Sequence, residues 1–353
     1  MCPRSGRMIV FFPTYARRLP GENRWRATVA GMISRPLPAK SHRRTLAVGV
    51  LKRLLELNET HLQSAVFQRR ADAFLFQRVA GERVKITLGG RQIDAGQSDR
   101  VGHFQRSIDL EEAEVDALAE SAGGCRWLRY EAAVAADDGF DGQPASAASA
   151  VGWIQMIPEE GMSVISDIDD TVKVTNVANR RELLANTLLR EFYAVPGMAE
   201  VYRRWQETGT AFHYVSSSPW QLANCLGRFF RETGLPSGSM HLKLFRLKDS
   251  TPLGRLPSRK RSKRRTIEQI IADFPRRKFL LVGDSGERDP EVYAAVACRH
   301  PDRVAGVAIR QVEGKPSRQK VRTRLDRLGS RLPAGCLHVF TEAAELSVLV
   351  AGG

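Results

Sequence analysis

Residues 161–177 read GMSVISDIDDTVKVTNV, and this stretch decides the fold. Its short apolar run, Met162 to Ile165, leads into Asp167, Asp169 and Thr171 at alternate positions. A buried strand continued by one or two extended residues points Asp167 and Asp169 the same way, because side chains alternate along extended backbone. Neighbouring carboxylates repel, so a pair at the carboxyl end of a central strand is costly unless a cation or a phosphate makes use of it. The stretch therefore predicts chemistry at a strand end.

Downstream, apolar runs of strand length alternate with helical patterns. Helix 180–193 carries Leu183, Leu184, Leu188 and Phe192 on one side, and Pro196-Gly197 opens a second helix that runs through Trp205. Strand 211–215, helix 219–233, strand 279–284, helix 290–297 and strands 304–310 and 336–340 continue the series. Such alternation predicts a parallel sheet flanked by helices, which binds ligands off the carboxyl ends of its strands.

Upstream the pattern is different. MIVFFPTY at 8–15 and RWRATVAGMI at 24–33 read as strands, and the apolar positions of 43–70 (Leu46, Val50, Leu54, Leu57, Leu62, Val66) form the stripe of one long helix. Runs 74–79 and 83–88 have the spacing of a hairpin across Ala80-Gly81-Glu82, and 102–110 and 125–134 form a further strand pair. Residues 137–150, DDGFDGQPASAASA, read as an exposed linker. We expect a mostly β domain with one long helix over 1–150 and a second domain over 151–353, with 151–158 as a strand at their junction.

The chain has 353 residues, 42% of them hydrophobic, enough to build two cores. Its 54 Lys plus Arg against 39 Asp plus Glu leave a formal charge of +15, which favours anionic partners or reflects an arginine-rich proteome. Five scattered cysteines without a C-x-x-C pair argue against a disulfide frame or a zinc site. The run Met8 to Phe12 is too short for a signal peptide, and no stretch reaches the ~18 apolar residues of a spanning helix. The expectation is a cytoplasmic protein whose membrane contact, if any, is peripheral.

Three more polar groups join Asp167 and Asp169. Ser216 follows strand 211–215, where a hydroxyl and the amides of the next turn can cradle phosphate oxygens, although a serine run before proline is also an ordinary helix cap. In FLLVGDSGERDP, Asp284 ends a strand and Asp289 lies five residues on, either as a further acid or as the cap of helix 290–297. Acids gathered at strand ends suit a hard cation, magnesium (Mg2+) best, because it takes few carboxylates and keeps waters for a substrate phosphate. The positive charge comes from RLPSRKRSKRR at 255–265, seven of whose eleven residues are basic, with Lys263 or Lys260 within reach of the site.

This set, in this order, resembles the haloacid dehalogenase superfamily of phosphohydrolases: DxDxT as Asp167, Asp169 and Thr171, then Ser216, Lys263, and GDxxxxD as Gly283, Asp284 and Asp289. More narrowly, SDIDDTVK, YVSSSPWQL and FPRRKFLLVGDSGERDPEVY, with VFFPTYAR and GHF upstream, resemble the actin-patch-protein type of phosphatidate phosphatase. The resemblance implies a Rossmann-like, haloacid dehalogenase-like sheet and a Mg2+-dependent monoester phosphatase. It implies Asp167 as nucleophile, Asp169 as acid and base, Ser216 and Lys263 on the phosphate, and Asp167, Asp169 (through its carbonyl), Asp284 and Asp289 at the metal. Thr171 and Asp170 take structural roles. Phosphatidate is the leading substrate, with a soluble or nucleic-acid-linked phosphate, or a non-catalytic membrane or protein adaptor, as alternatives. About 40 residues separate Thr171 from strand 211–215, so no large inserted cap is expected. The basic stretches 255–265 and 315–331 could dock on anionic lipid, at ~1 kcal/mol per basic residue near such a surface.

Overall fold

A computed structural model describes residues 7–38, 40–134, 149–176, 179–243, 259–312, 318–347 and 349. Ten strands form a first sheet: β1 (Met8–Phe11), β2 (Thr14–Arg18), β3 (Arg24–Pro36), β4 (Phe76–Arg78), β5 (Arg83–Leu88), β6 (Arg91–Gln97), β7 (His103–Glu111), β8 (Glu120–Ala122), β9 (Cys125–Val134) and β10 (Ser149–Ile157). Six more form a second: β11 (Glu160–Ser166), β12 (Ala211–Pro219), β13 (Ser239–Lys243), β14 (Arg276–Asp284), β15 (Val304–Arg310) and β16 (Leu337–Phe340). The helices are α1 (His42–Leu55), α2 (Glu59–Gln63), α3 (Ala65–Phe74), α4 (Glu112–Leu118), α5 (Arg180–Leu188), α6 (Met198–Glu207), α7 (Ala223–Thr233), α8 (Arg259–Asp273), α9 (Asp289–Arg299) and α10 (Arg318–Gly329).

The second sheet has the order β13-β12-β11-β14-β15-β16, and all of its pairings are parallel. Its two faces follow from period-2 alternation. Val164, Phe212, Tyr214, Leu280 and Val282 turn to one side, where Val201, Tyr202 and Trp205 of α6 and Leu226, Phe229 and Phe230 of α7 cover them. Ile165, Val215, Leu281, Val307 and Ile309 turn to the other, against Ile267, Ile270 and Ile271 of α8, Val292 and Val296 of α9, and Val321 and Leu325 of α10. The predicted α/β architecture with a parallel sheet is present. Strand order reverses between β11 and β14, and such a crevice is where doubly wound sheets place ligands.

Several local expectations need correction. The single helix over 43–70 is three helices: Glu56 turns left-handed (φ 51), Asn58 caps α2 in a box with His61, and Ser64 caps α3. Short polar side chains that satisfy free amides start new helices and so interrupt a continuous stripe. Leu46, assigned to the buried stripe, is 58% exposed. Strands β4 and β5 do not form a hairpin, since β4 pairs with β3, and β5 with β6 and β9. Strands β7 and β9 likewise lie apart, on β3 and β10. Helix α5 stops at Leu188, short of Phe192. The basic segment 315–331 contains α10, and the linker 137–150 lies mostly outside the described residues.

Strand β10 pairs with β9 and β2, so the chain passes from one sheet to the other between Ile157 and Glu160. Arg277, almost wholly buried on β14, clamps this crossing by donating to Ser163 Oγ (2.8 Å) and to the carbonyls of Pro158, Glu160 and Met162. The sheets also meet through Tyr15, whose hydroxyl donates to Asp273 (2.6 Å), and through Phe12, Met32, Trp220 and Ala223. A separate core joins Phe67 and Ala71 of α3 to Ala185 and Leu188 of α5, so helices from the N-terminal half pack beside the segment that follows β11.

Candidate active site

Strand β11 ends at Ser166, and the chain leaves the sheet one residue before the first aspartate. Asp167 N still donates to Val282 O of β14 (2.9 Å), which holds it at the crevice. Asp170 then adopts a left-handed conformation (φ 55), which a short polar side chain tolerates. Its carboxylate accepts from the amides of Thr175 and Asn176 at 2.7 Å each, and its carbonyl accepts from Arg310 (2.8 Å). Asp170 thus fixes the turn. Thr171 is fully buried, and its hydroxyl has no hydrogen-bond partner among the described residues.

The turn sends the two aspartates into different company, so they are not one pair sharing one partner. Asp167 lies with Lys263, Asp284 and Asp289, all four buried. Lys263 Nζ stands 2.8 Å from Asp167 Oδ1 and 2.6 Å from Asp289 Oδ1. Lys263 precedes Ile267 by one helical turn on α8, so it shares the inward face. The side chain of Lys260, the alternative lysine, lies outside the described residues. Asp289 is not a cap: it stands inside α9, one residue after the N-cap Arg288, and its side chain turns to Lys263. Gly283 makes this approach possible, since a Cβ there would lie 2.5 Å from Asp289 Oδ2.

One oxygen each from Asp167, Asp284 and Asp289 lies within 4.8 Å of the others. Asp284 Oδ2 accepts from the amides of Gly286 (2.5 Å) and Glu287 (3.2 Å), while Asp284 Oδ1 and Asp289 Oδ2 are buried without a partner among the described residues. Burial pushes the Asp167 carboxyl well above its ordinary pKa; Lys263 opposes this, and Asp289, Asp169 and Asp284 add to it. Asp284 is also pushed well up, by burial and then by Asp289. Burial disfavours the Lys263 charge, but Asp167 and Asp289 outweigh it and hold that ammonium well above its usual value. Asp167 and Asp289 thus share one lysine, with Asp284 beside them. Two orphaned carboxylate oxygens and a surplus of negative charge are what a hard divalent cation would satisfy.

The Asp169 carboxylate stands outside this acidic triplet, so the expected fourth metal position could come only from its main chain. Its Oδ2 accepts from Ser216 (3.1 Å) and Ser218 (2.5 Å), and its Oδ1 from Thr175 (2.8 Å), with Lys173 Nζ at 2.7 Å. Burial disfavours the Asp169 charge, but Lys173, aided by hydrogen bonds from Lys173, Ser218 and Thr175, prevails and lowers its pKa to about 2. The structure places Ser216 on Asp169, and its hydroxyl also accepts from Ser218 N (2.9 Å). Strand β12 continues to Pro219 instead of giving way to a helix there.

Lys173, Thr175 and Ser218 were not among the expected residues. Ser218 was within reach of period-2 logic, because an extended chain that points Ser216 inward does the same with Ser218. Lys173 offered a weaker signal, a lone charge between Val172 and Val174.

Comparison with known proteins bears on residues 162–311, which match the family described as phosphatidate phosphatase APP1, catalytic domain. An uncharacterized protein of Schizosaccharomyces pombe is 35% identical over 163 residues, 45% of this chain and 26% of its own length. Phosphatidate phosphatase APP1 of Saccharomyces cerevisiae is 33% identical over 154 residues, 42% of this chain and 26% of its own. The chain thus spans about a quarter of the length of these relatives. Among solved structures, a sialyltransferase from Photobacterium damsela (7% identity, TM-score 0.21, 72% of this chain and 46% of that one) and a Bifidobacterium dentium beta-glucuronidase (9%, 0.27, 95% and 60%) are too dissimilar to inform the fold.

Proposed function

From the match of residues 162–311 to that catalytic-domain family, we propose that the chain hydrolyses a phosphate monoester, phosphatidate foremost, through an aspartyl-phosphate on Asp167. The observation that carries this reading is a buried carboxylate, Asp167, beside one ammonium and two further acids with orphaned oxygens. The strand order and the places of Asp167, Ser216, Lys263 and Asp284 support a haloacid dehalogenase-like arrangement.

Asp167 attacks phosphorus as the phosphorus–oxygen bond to the alcohol breaks, and Asp169 gives the leaving oxygen a proton. Water then attacks the phosphoryl group, the bond to Asp167 breaks, and Asp169 takes the water's proton. In the free protein Asp169 is held in the base form; a phosphate dianion arriving beside Oδ2 raises its pKa by like-charge repulsion and so favours the acid form. Ser216 and Ser218 donate to phosphate oxygens once Asp169 shares them. Lys263 keeps the nucleophile in place and offers its charge to the transferring group. Asp167, Asp284 and Asp289 would hold Mg2+, which supplies electrostatic stabilisation of the phosphoryl oxygens when bound.

Contact with an anionic membrane is part of the same proposal. The basic helices α8 and α10 lie on one face of the sheet with α9 between them, and Arg261, Arg265, Lys320, Arg322 and Arg327 are exposed there. No helix among the described residues is long and apolar enough to cross a membrane. Release of phosphate from short-chain phosphatidate, compared with soluble phosphomonoesters and with or without EDTA, tests the reading. Asp167→Asn should abolish release. Activity that persists in that variant, or in EDTA, would refute the assignment.

A further inference from the structure

We propose that Lys173 is a positioning residue for Asp169, braced by Phe192 and, from outside the family-matching segment, by Arg70. This rests on the phosphatase reading above. Lys173 is 1% exposed, which for a lysine demands partners. It has two polar ones, Asp169 Oδ1 at 2.7 Å and Thr175 Oγ1 at 2.5 Å, and Thr175 in turn donates to the same Oδ1 (2.8 Å). The lysine and the threonine hold one carboxylate oxygen, which leaves Oδ2 to the serines and to the reaction.

The lysine is itself held. Its ammonium stands 4.7 Å from the centre of the Phe192 ring, and the Arg70 guanidinium stands 3.7 Å from the same centre. Arg70, on α3, is buried and donates to Thr187 O at the end of α5, and Asn186 of α5 donates to Thr175 O (2.8 Å). A continuous path of packed groups therefore runs from α3 through Phe192 and Lys173 to Asp169. Cations over aromatic faces are held with both distance and direction, which suits a support that must not drift. A carboxylate that serves as base must meet its proton at hydrogen-bond distance, so releasing one of its oxygens costs rate without removing the group.

The step most exposed to this loss is hydrolysis of the aspartyl-phosphate, in which Asp169 takes the proton of the attacking water. p-Nitrophenyl phosphate isolates it, because nitrophenolate leaves without a proton from the protein. Rapid-mixing kinetics with the full chain, comparing wild type, Lys173→Met and Lys173→Arg, should give Lys173→Met a burst of about one nitrophenolate per site. Its steady rate should then be slowed about 100-fold with KM falling alongside it, because kcat/KM reports the unaffected first step, and with partial recovery in Lys173→Arg. A burst and a steady rate that fall together, or a steady rate that does not fall, would overturn the proposal. If Lys173→Met does not fold, Thr175→Val takes its place: a retained burst with a slower steady rate supports the bracing of Oδ1, and a parallel loss of both refutes it. A wild-type chain inactive on every phosphomonoester would overturn the phosphatase reading and this inference with it. An active wild type with an unaffected Lys173→Met would overturn this inference alone.

Discussion

Replacing Lys263 by methionine keeps the length of the side chain and removes the one ammonium that Asp167 and Asp289 share. Asp167, Asp284 and Asp289 then face one another with ligand oxygens within 4.8 Å. Two unit charges at that separation repel by about 3.5 kcal/mol at an effective dielectric of about 20. Breaking a buried ion pair by deleting one partner costs about 3–5 kcal/mol in general. Both routes give a loss of roughly 3–5 kcal/mol, a large share of the stability of an ordinary domain. Urea unfolding in EDTA near neutral pH reads this loss, and added Mg2+ should recover part of it by taking the place of the lost charge. The gap should also narrow as pH falls. Burial already raises Asp167 and Asp284 above their unfolded values, so each adds stability below its unfolded pKa and loses it as pH rises through the folded one. Removing Lys263 strengthens that dependence. A loss under about 1 kcal/mol, or one indifferent to both Mg2+ and pH, would refute the idea that these carboxylates are ionised around a single cation.

Three other outcomes are expected. Gly283→Ala brings a methyl within 2.5 Å of Asp289 Oδ2, and displacing that carboxylate by even an ångström should lower kcat about 100-fold while circular dichroism stays unchanged. Arg277→Leu strands the Pro158, Glu160 and Met162 carbonyls and should cost about 3 kcal/mol in chemical denaturation, with a lower melting temperature for the whole chain. His213, fully buried against Ser239 and His241, is held well below its usual pKa by burial, with His241 and Arg277 adding to it. His241 is lowered by burial to about 4. The unfolded chain then binds more protons than the folded one, so stability is full above about pH 6.5 and falls as pH drops toward the folded values, by up to about 1.4 kcal/mol per pH unit for each histidine. His241→Gln should flatten the acid limb, which melting temperatures across that range would show.

The second sheet was legible because burial on both faces leaves a plain record: apolar runs of strand length ending in Asp167, Ser216 and Asp284. Three polar clusters at strand ends then converge by topology, and Lys263 joins them from α8. The first sheet was harder. Sequence proximity suggested a hairpin for β4 and β5, but β4 pairs with β3 and β5 with β9, both distant in sequence, while the local Gly89-Gly90 turn joins β5 to β6 instead. Asn58 and Ser64 cap α2 and α3 and so interrupt what apolar spacing alone reads as one continuous stripe. In the site, Asp167 and Asp169 looked equivalent on a straight strand. The turn at Asp170 separates them, and that turn depends on contacts from Thr175, Asn176 and Arg310 that spacing does not reveal.

The seam between the sheets also bears on how the molecule comes apart. Trp220 and Ala223 bury themselves against Phe12 and Met32, Met240 N donates to Pro13 O, and Arg70 reaches Thr187 O. A polypeptide trimmed to begin at Glu160 would retain every acid of the site yet expose that apolar seam and lose the brace behind Phe192 and Lys173. The two sheets should therefore melt in one calorimetric transition, with the ratio of calorimetric to van't Hoff enthalpy near unity, the half that carries the acids depending for its folding on neighbours that precede it in the chain.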